Sequence, residues 1–188
     1  QEISVDPSNF PNGIMLKDID LFFSEIPTSA RDVVGPVKVH IRPMYNGSPH
    51  PFKVLPFSEV SKSNITASDY DSLGVVNFEF STPVYLKPNT NYAICISTNS
   101  DYKLYYAEEL ENVLTGEVVS PSESGNTVMK PRHFEKLHLP LNNGTSTSFD
   151  NKFLKMNINR CGFVDLGDTD SFVQFNSPSN MRTTPHHV

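Results

Sequence analysis

Tryptophan is absent from these 188 residues, and alanine occurs only at Ala30, Ala67, Ala93 and Ala107. Helical bundles and coiled coils are built on strong helix formers, so so little alanine beside 15 prolines argues against both. Charge is sparse, at 19% of residues, and it is acidic: 15 Lys and Arg against 21 Asp and Glu leave a formal charge of −6. An acidic chain without a basic run cannot hold a phosphate backbone electrostatically, which excludes nucleic acid as the expected partner. No apolar run reaches the length that a membrane-spanning helix needs. The nine glycines are too scattered for a phosphate-cradling loop, and no Gly-x-Ser-x-Gly nucleophile turn occurs. Only two cysteines are present, Cys95 and Cys161. One pair does not establish a disulfide and cannot complete a four-ligand metal site, so two unpaired thiols are expected.

Aromatic residues and small polar ones are plentiful. Thirteen Phe and seven Tyr can bury a core, which argues against disorder. Ser, Thr and Asn make up 50 positions. The length suits one domain.

Apolar residues recur at period two, the signature of half-buried strands. Ile19, Leu21 and Phe23 alternate with Asp18, Asp20 and Phe22, and Val37, Val39 and Ile41 with Lys38, His40 and Arg42. Val76, Phe78 and Phe80 alternate with Asn77 and Glu79, Tyr92, Ile94 and Ile96 with Ala93 and Cys95. Leu154, Met156 and Ile158 alternate with Lys155, Asn157 and Asn159. Turn chemistry separates these runs. Asn46-Gly47 predicts a tight hairpin, because both residues accept positive φ. Further turns are expected at Lys87-Pro88-Asn89-Thr90-Asn91 and at Asn142-Asn143-Gly144-Thr145. Short strands with regular turns predict an all-β, antiparallel β-sandwich of jelly-roll type. At most one or two short helical turns are expected, at Ala107–Leu114 and Asp69–Leu73. Residues 1–163 read as the sandwich module, and 164–188 as a connector carrying a last strand-like run, Phe172-Val173-Gln174-Phe175. The ends read as those of a piece of a longer chain.

Residues able to carry chemistry are few. His40 lies on the polar face of its strand, as a solvated imidazole would. His133 and His138 are five apart, off one face of either a strand or a helix, which is wrong for two ligands on one element. His186-His187 lie in the tail, without a ligand pattern around them. Glu108, Glu109 and Glu111 read as a solvated face rather than a hydrolytic pair. Asp165, Asp168 and Asp170 lack the spacing of a calcium loop. Asn46-Gly47-Ser48, Asn64-Ile65-Thr66 and Asn143-Gly144-Thr145 are glycosylation triplets only in a secretory route. If Asp101–Ala107 is a strand, Tyr102 and Tyr106 face the core and Tyr105 points outward. Tyr105 is therefore the candidate surface contact. No catalytic, cofactor-binding or metal-ligating residue is expected, and the chain reads as a non-enzyme.

Several runs taken in order resemble a known family. They are Gly13-Ile14-Met15-Leu16-Lys17-Asp18-Ile19-Asp20-Leu21-Phe22-Phe23, Pro36-Val37-Lys38-Val39-His40-Ile41-Arg42-Pro43, Asn46-Gly47-Ser48-Pro49, Leu55-Pro56-Phe57-Ser58-Glu59-Val60, Phe78-Glu79-Phe80-Ser81-Thr82-Pro83-Val84-Tyr85-Leu86 and Asn91-Tyr92-Ala93-Ile94. Arg160-Cys161-Gly162-Phe163 and Phe175-Asn176 follow. The series resembles the β-sandwich modules of baseplate, tail-fibre and related tail proteins of large contractile-tailed bacteriophages, the myoviruses. Residues 116–148 depart from that pattern, and Phe149 stands where a Trp would be usual. The resemblance implies a structural protein located in the virion tail and acting through protein–protein contacts. It implies other tail proteins as partners, a homo-oligomer such as a trimer, and no cofactor. The alternative is a carbohydrate- or receptor-binding module for host attachment, a reading that the lack of Trp weakens.

Overall fold

The computed structural model describes residues 1–28, 34–67, 74–111, 128–140 and 146–162. The expected connector at 164–188 and the turns at 69–73 and 142–145 lie outside them. So do His186, His187, Asp165, Asp168, Asp170 and the triplet at Asn143. The described chain is all-β. Its strands are β1 (Glu2–Ser4), β2 (Ile14–Glu25), β3 (Val37–Tyr45), β4 (Ser48–Pro49), β5 (Phe57–Val60), β6 (Val75–Leu86), β7 (Asn91–Ser97), β8 (Lys103–Leu104), β9 (Tyr106–Glu108), β10 (Leu137–Pro140), β11 (Ser146–Phe149), β12 (Lys152–Leu154) and β13 (Met156–Arg160). Every strand ladder among them is antiparallel.

Two larger sheets carry the core. One runs β1-β7-β3, with β5 and β4 paired to β3. The other runs β13-β2-β6, with β8 added to β2 at Phe23 and Glu25. The period-two runs decide which side chains meet. Val37, Val39, Ile41 and Ile94 from the first sheet join Ile19, Leu21, Phe23, Val76 and Phe78 from the second in a single apolar cluster. Lys38, Glu79 and Asn77 stay on the outer faces, as alternation requires.

The Asn46-Gly47 hairpin forms as its sequence predicts. Both residues take positive φ, 49° and 74°, and Tyr45 pairs with Ser48. The turn at Lys87–Asn91 does something else. It joins β6 of one sheet to β7 of the other, so it arches between layers instead of closing a hairpin. Asn89 supplies positive φ (51°), its N–H donates to Val5 O, and Lys87 N–H donates to the Tyr92 hydroxyl. Gly13 performs a similar service at the entry to β2. Its φ is +77°, and a Cβ there would run into Leu86 O and the Tyr85 ring. Gly13→Ala is therefore expected to destabilise the protein by more than about 1 kcal/mol, read as a lower thermal midpoint.

Four expectations need correction. The run Leu154–Ile158 is not one strand: it breaks at Lys155, with β12 pairing to β9 and β13 to β2. Ala107 and Glu108 are in strand β9 rather than a helical turn, because β12 offers a ladder to them; Leu110 then takes φ 71° and turns the chain. Asp101–Ala107 is likewise two short strands with Tyr105 between them, and Tyr106 is exposed rather than in the core. The one helical element among the described residues is a 3-10 turn at Lys62–Asn64. β7 also departs from simple alternation. Ala93 is buried beside Tyr92 and Ile94, because β1 pairs alongside and Glu2 faces Ala93.

Candidate functional site

Among the described residues β13 is the edge strand of its sheet, and its ladder is anchored at both ends on the β2 side. Cys161 N–H donates to Met15 O at 2.8 Å, and Lys155 N–H donates to Tyr105 O at 2.9 Å. Tyr105 N–H in turn donates to Phe22 O at 3.1 Å, so Tyr105 is wedged between β2 and the start of β13. Its side chain is half-buried, and the Lys155 ammonium lies 5.7 Å from its ring centre and 4.6 Å from that of Phe22. Phe22, on the outer face by parity, is nonetheless buried, with that ammonium over its ring.

Alongside β13 runs a groove of about 810 Å³, mainly apolar. Phe10, Tyr105, Tyr106, Met156, Ile158 and Arg160 are among the residues that line it. The Arg160 guanidinium lies 5.1 Å from the Phe10 ring centre. Phe10, Ile14, Met156 and Ile158 are only partly buried, although they pack on the core. On the groove wall, His133 packs its ring against Phe10 at 5.6 Å, and its Nδ1 is buried with no hydrogen-bond partner among the described residues. Sequence reading missed this groove, because its lining comes from segments far apart in the chain.

A second feature sits on the other sheet. The loop after β4 is built rigidly by two side chains. Arg42 Nη1 donates to His50 O at 3.1 Å and to Pro51 O at 3.0 Å. His50 Nδ1 accepts from the backbone N–H of Phe52 at 3.2 Å and of Lys53 at 3.1 Å. Phe52 is left 90% exposed in this loop, and Tyr45, Val54 and Phe57 are exposed too. A phenylalanine directly after a proline was the available sequence signal, in His50-Pro51-Phe52-Lys53, but no periodicity marks it.

The residues singled out for chemistry are separate from one another. His40 is half-buried rather than solvated, and burial together with nearby Arg42 pushes its pKa below the usual imidazole value. His138 Nε2 lies 3.0 Å from Glu2 Oε2, a pair that ties β10 to β1. Glu108 is engaged by Lys152 at 3.1 Å and by Asn151 at 2.8 Å, while Glu109 and Glu111 are exposed. Cys95 and Cys161 are both free, and burial raises the Cys95 thiol pKa. Tyr106 is 55% exposed, but the Lys152 ammonium sits 5.1 Å from its ring centre and occupies one approach to the ring. Among the described residues no group of three or more His, Cys, Asp or Glu is placed to hold a metal ion, and no helix is long and apolar enough to cross a membrane. No family model matches the chain, and no curated protein or solved structure shows significant similarity to it.

Proposed function

We propose that this chain is a structural module of a bacteriophage tail, a baseplate or tail-fibre component that works through protein–protein contacts. Its two main sheets act as the layers of a stiff sandwich, its partners are other tail proteins and further copies of itself, and its place is the virion. The observation that carries this reading is the Phe52 loop. An aromatic held out on a braced loop loses little conformational freedom on docking, and such anchors supply most of the energy at protein interfaces. Val54, two residues further along the same loop, is exposed and apolar as well. The partner this surface fits is a protein with an apolar pocket.

Phe52→Ala is the test. The purified variant is expected to unfold within about 0.5 kcal/mol of the parent, since the side chain touches little. Its affinity for the neighbouring tail subunit is expected to fall about 30-fold, the equivalent of a 2 kcal/mol anchor. A reconstruction of the intact particle should place the loop against that neighbour. Finding the chain free in the host cytoplasm and absent from the particle would overturn the reading, and specific binding on a glycan array would favour host attachment instead.

A further inference from the structure

We infer that the groove beside β13 is a binding site for one apolar carboxylate, such as a free fatty acid, with the acid group at Arg160 and the hydrocarbon along Met156 and Ile158. At about 810 Å³ the groove lies within the roughly 300–1,000 Å³ of small-molecule sites, which are mostly apolar and carry a few polar groups that orient the ligand. Phe10, Ile14, Val128, Met156 and Ile158 line it, and all five pack on the core yet stay partly exposed. That shared surface is what a hydrocarbon chain would take out of water. The loop that carries Phe52 contributes no residue to the described lining, so this site is separate from the surface proposed for protein docking.

Charge decides which apolar molecule fits. The whole chain is acidic, at −6, but the described lining holds two cations, Lys155 and Arg160, against one carboxylate, Glu111. A cationic ligand would be repelled there, and a neutral one would make no use of the reversal. Lys155 is engaged with the rings of Phe22 and Tyr105. Arg160 is exposed, holds its guanidinium 5.1 Å from the Phe10 ring centre, and makes no ion pair among the described residues. A guanidinium over a ring keeps its planar fork of donors, which meets a carboxylate in two parallel hydrogen bonds. His133 packs on the same Phe10 ring at 5.6 Å, and its buried Nδ1 leaves a second polar position on that wall without a partner among the described residues. One guanidinium answers one negative charge. A phosphate monoester would bring nearly two, with Glu111 opposing them.

Titration of residues 1–188 with dodecanoate below its micelle concentration, followed by backbone amide chemical shifts, tests the inference. Saturable binding of one dodecanoate per chain is expected, with Kd of about 100 μM or tighter. The largest shifts should fall at Phe10, Met156, Ile158 and Arg160, with none at Val39 or Phe52. The thermal midpoint should rise with dodecanoate concentration, as it does for any ligand that binds only the folded state. Dodecyltrimethylammonium, with the same chain and the opposite charge, should bind at least about tenfold more weakly. Arg160→Gln should weaken dodecanoate binding about tenfold or more, while the amide signals of Val39 and Phe78 stay in place and report an intact core. Absence of saturable shifts around the groove overturns the inference. So does equal binding of the two amphiphiles, or an affinity that Arg160→Gln leaves unchanged. If that variant disturbs the core, the comparison of the two amphiphiles on the parent decides alone. None of these outcomes bears on the tail reading, which is tested at Phe52.

Discussion

Replacing Phe78 with alanine is expected to lower the unfolding free energy by about 3–5 kcal/mol, the largest effect of any single truncation discussed for this chain. Phe78 is fully buried in β6, opposite Ile19 of β2, with the Phe23 ring centre 6.5 Å away. It sits where side chains from both main sheets meet. Removing the ring forfeits its transfer from water and leaves a cavity that two hydrogen-bonded sheets cannot close by collapsing. Domains are stable by only about 5–15 kcal/mol, so the loss takes a large share of the whole. Urea unfolding should show the midpoint falling with the slope unchanged. Glu79→Ala, one residue along on the opposite face and with a mostly exposed side chain, is expected to change stability by less than about 0.5 kcal/mol. Equal effects at the two positions would mean that β6 does not face the core as described.

The contrast between Phe78 and Glu79 was legible in the sequence, because period-two alternation is a direct consequence of strand geometry. The same holds for Val37, Val39 and Ile41, and for the Asn46-Gly47 hairpin, whose positive φ angles admit few residue types. Pairing was less legible. Leu154–Ile158 has the same period whichever strand it pairs with, so nothing in the run announces the break at Lys155 or the wedge of Tyr105 behind it. Lys87–Asn91 has the composition of a hairpin turn, and the same Asn89 conformation serves an arch between sheets. Nor does sequence pattern reveal depth on an outer face. Ala93 is covered by β1 and Phe22 by Lys155, both through long-range neighbours. The groove beside β13 was invisible for the same reason. Phe52 was missed because an isolated aromatic in a loop carries no period at all.

Asp18 is where that hidden depth has its sharpest electrostatic consequence. By parity it lies on the outer face of β2, yet it is only 4% exposed. A bulge between Leu16 and Asp18 shifts the register against both neighbours, and amide side chains from each close over it. Asn159 donates to its Oδ1 at 2.6 Å and Asn77 to the same oxygen at 2.9 Å, while Lys17 lies 3.4 Å from Oδ2. Asp20, two residues on, receives Asn77 at 2.7 Å and Asn159 at 3.1 Å, so the two carboxylates and their amides bridge β13, β2 and β6. Burial works against ionisation of Asp18, but the hydrogen bonds from Asn159, Asn77 and Lys17 outweigh it and hold the pKa below the usual carboxylate value. A depressed folded-state pKa stabilises the fold fully above the unfolded-state pKa, and that contribution disappears as pH falls through the folded value. Asp18→Ala is therefore expected to cost about 2–3 kcal/mol near pH 7, the scale of hydrogen bonds to a charged acceptor whose donors are left behind. As pH falls from 7 through the folded-state value the parent carboxyl takes up its proton, and the gap between parent and variant should shrink to less than about 1 kcal/mol. Denaturant unfolding of both proteins across that range measures it. A gap that stays constant with pH would assign the role of Asp18 to packing alone; a gap that closes on acidification identifies the carboxylate as the charge that binds three strands on the outer face.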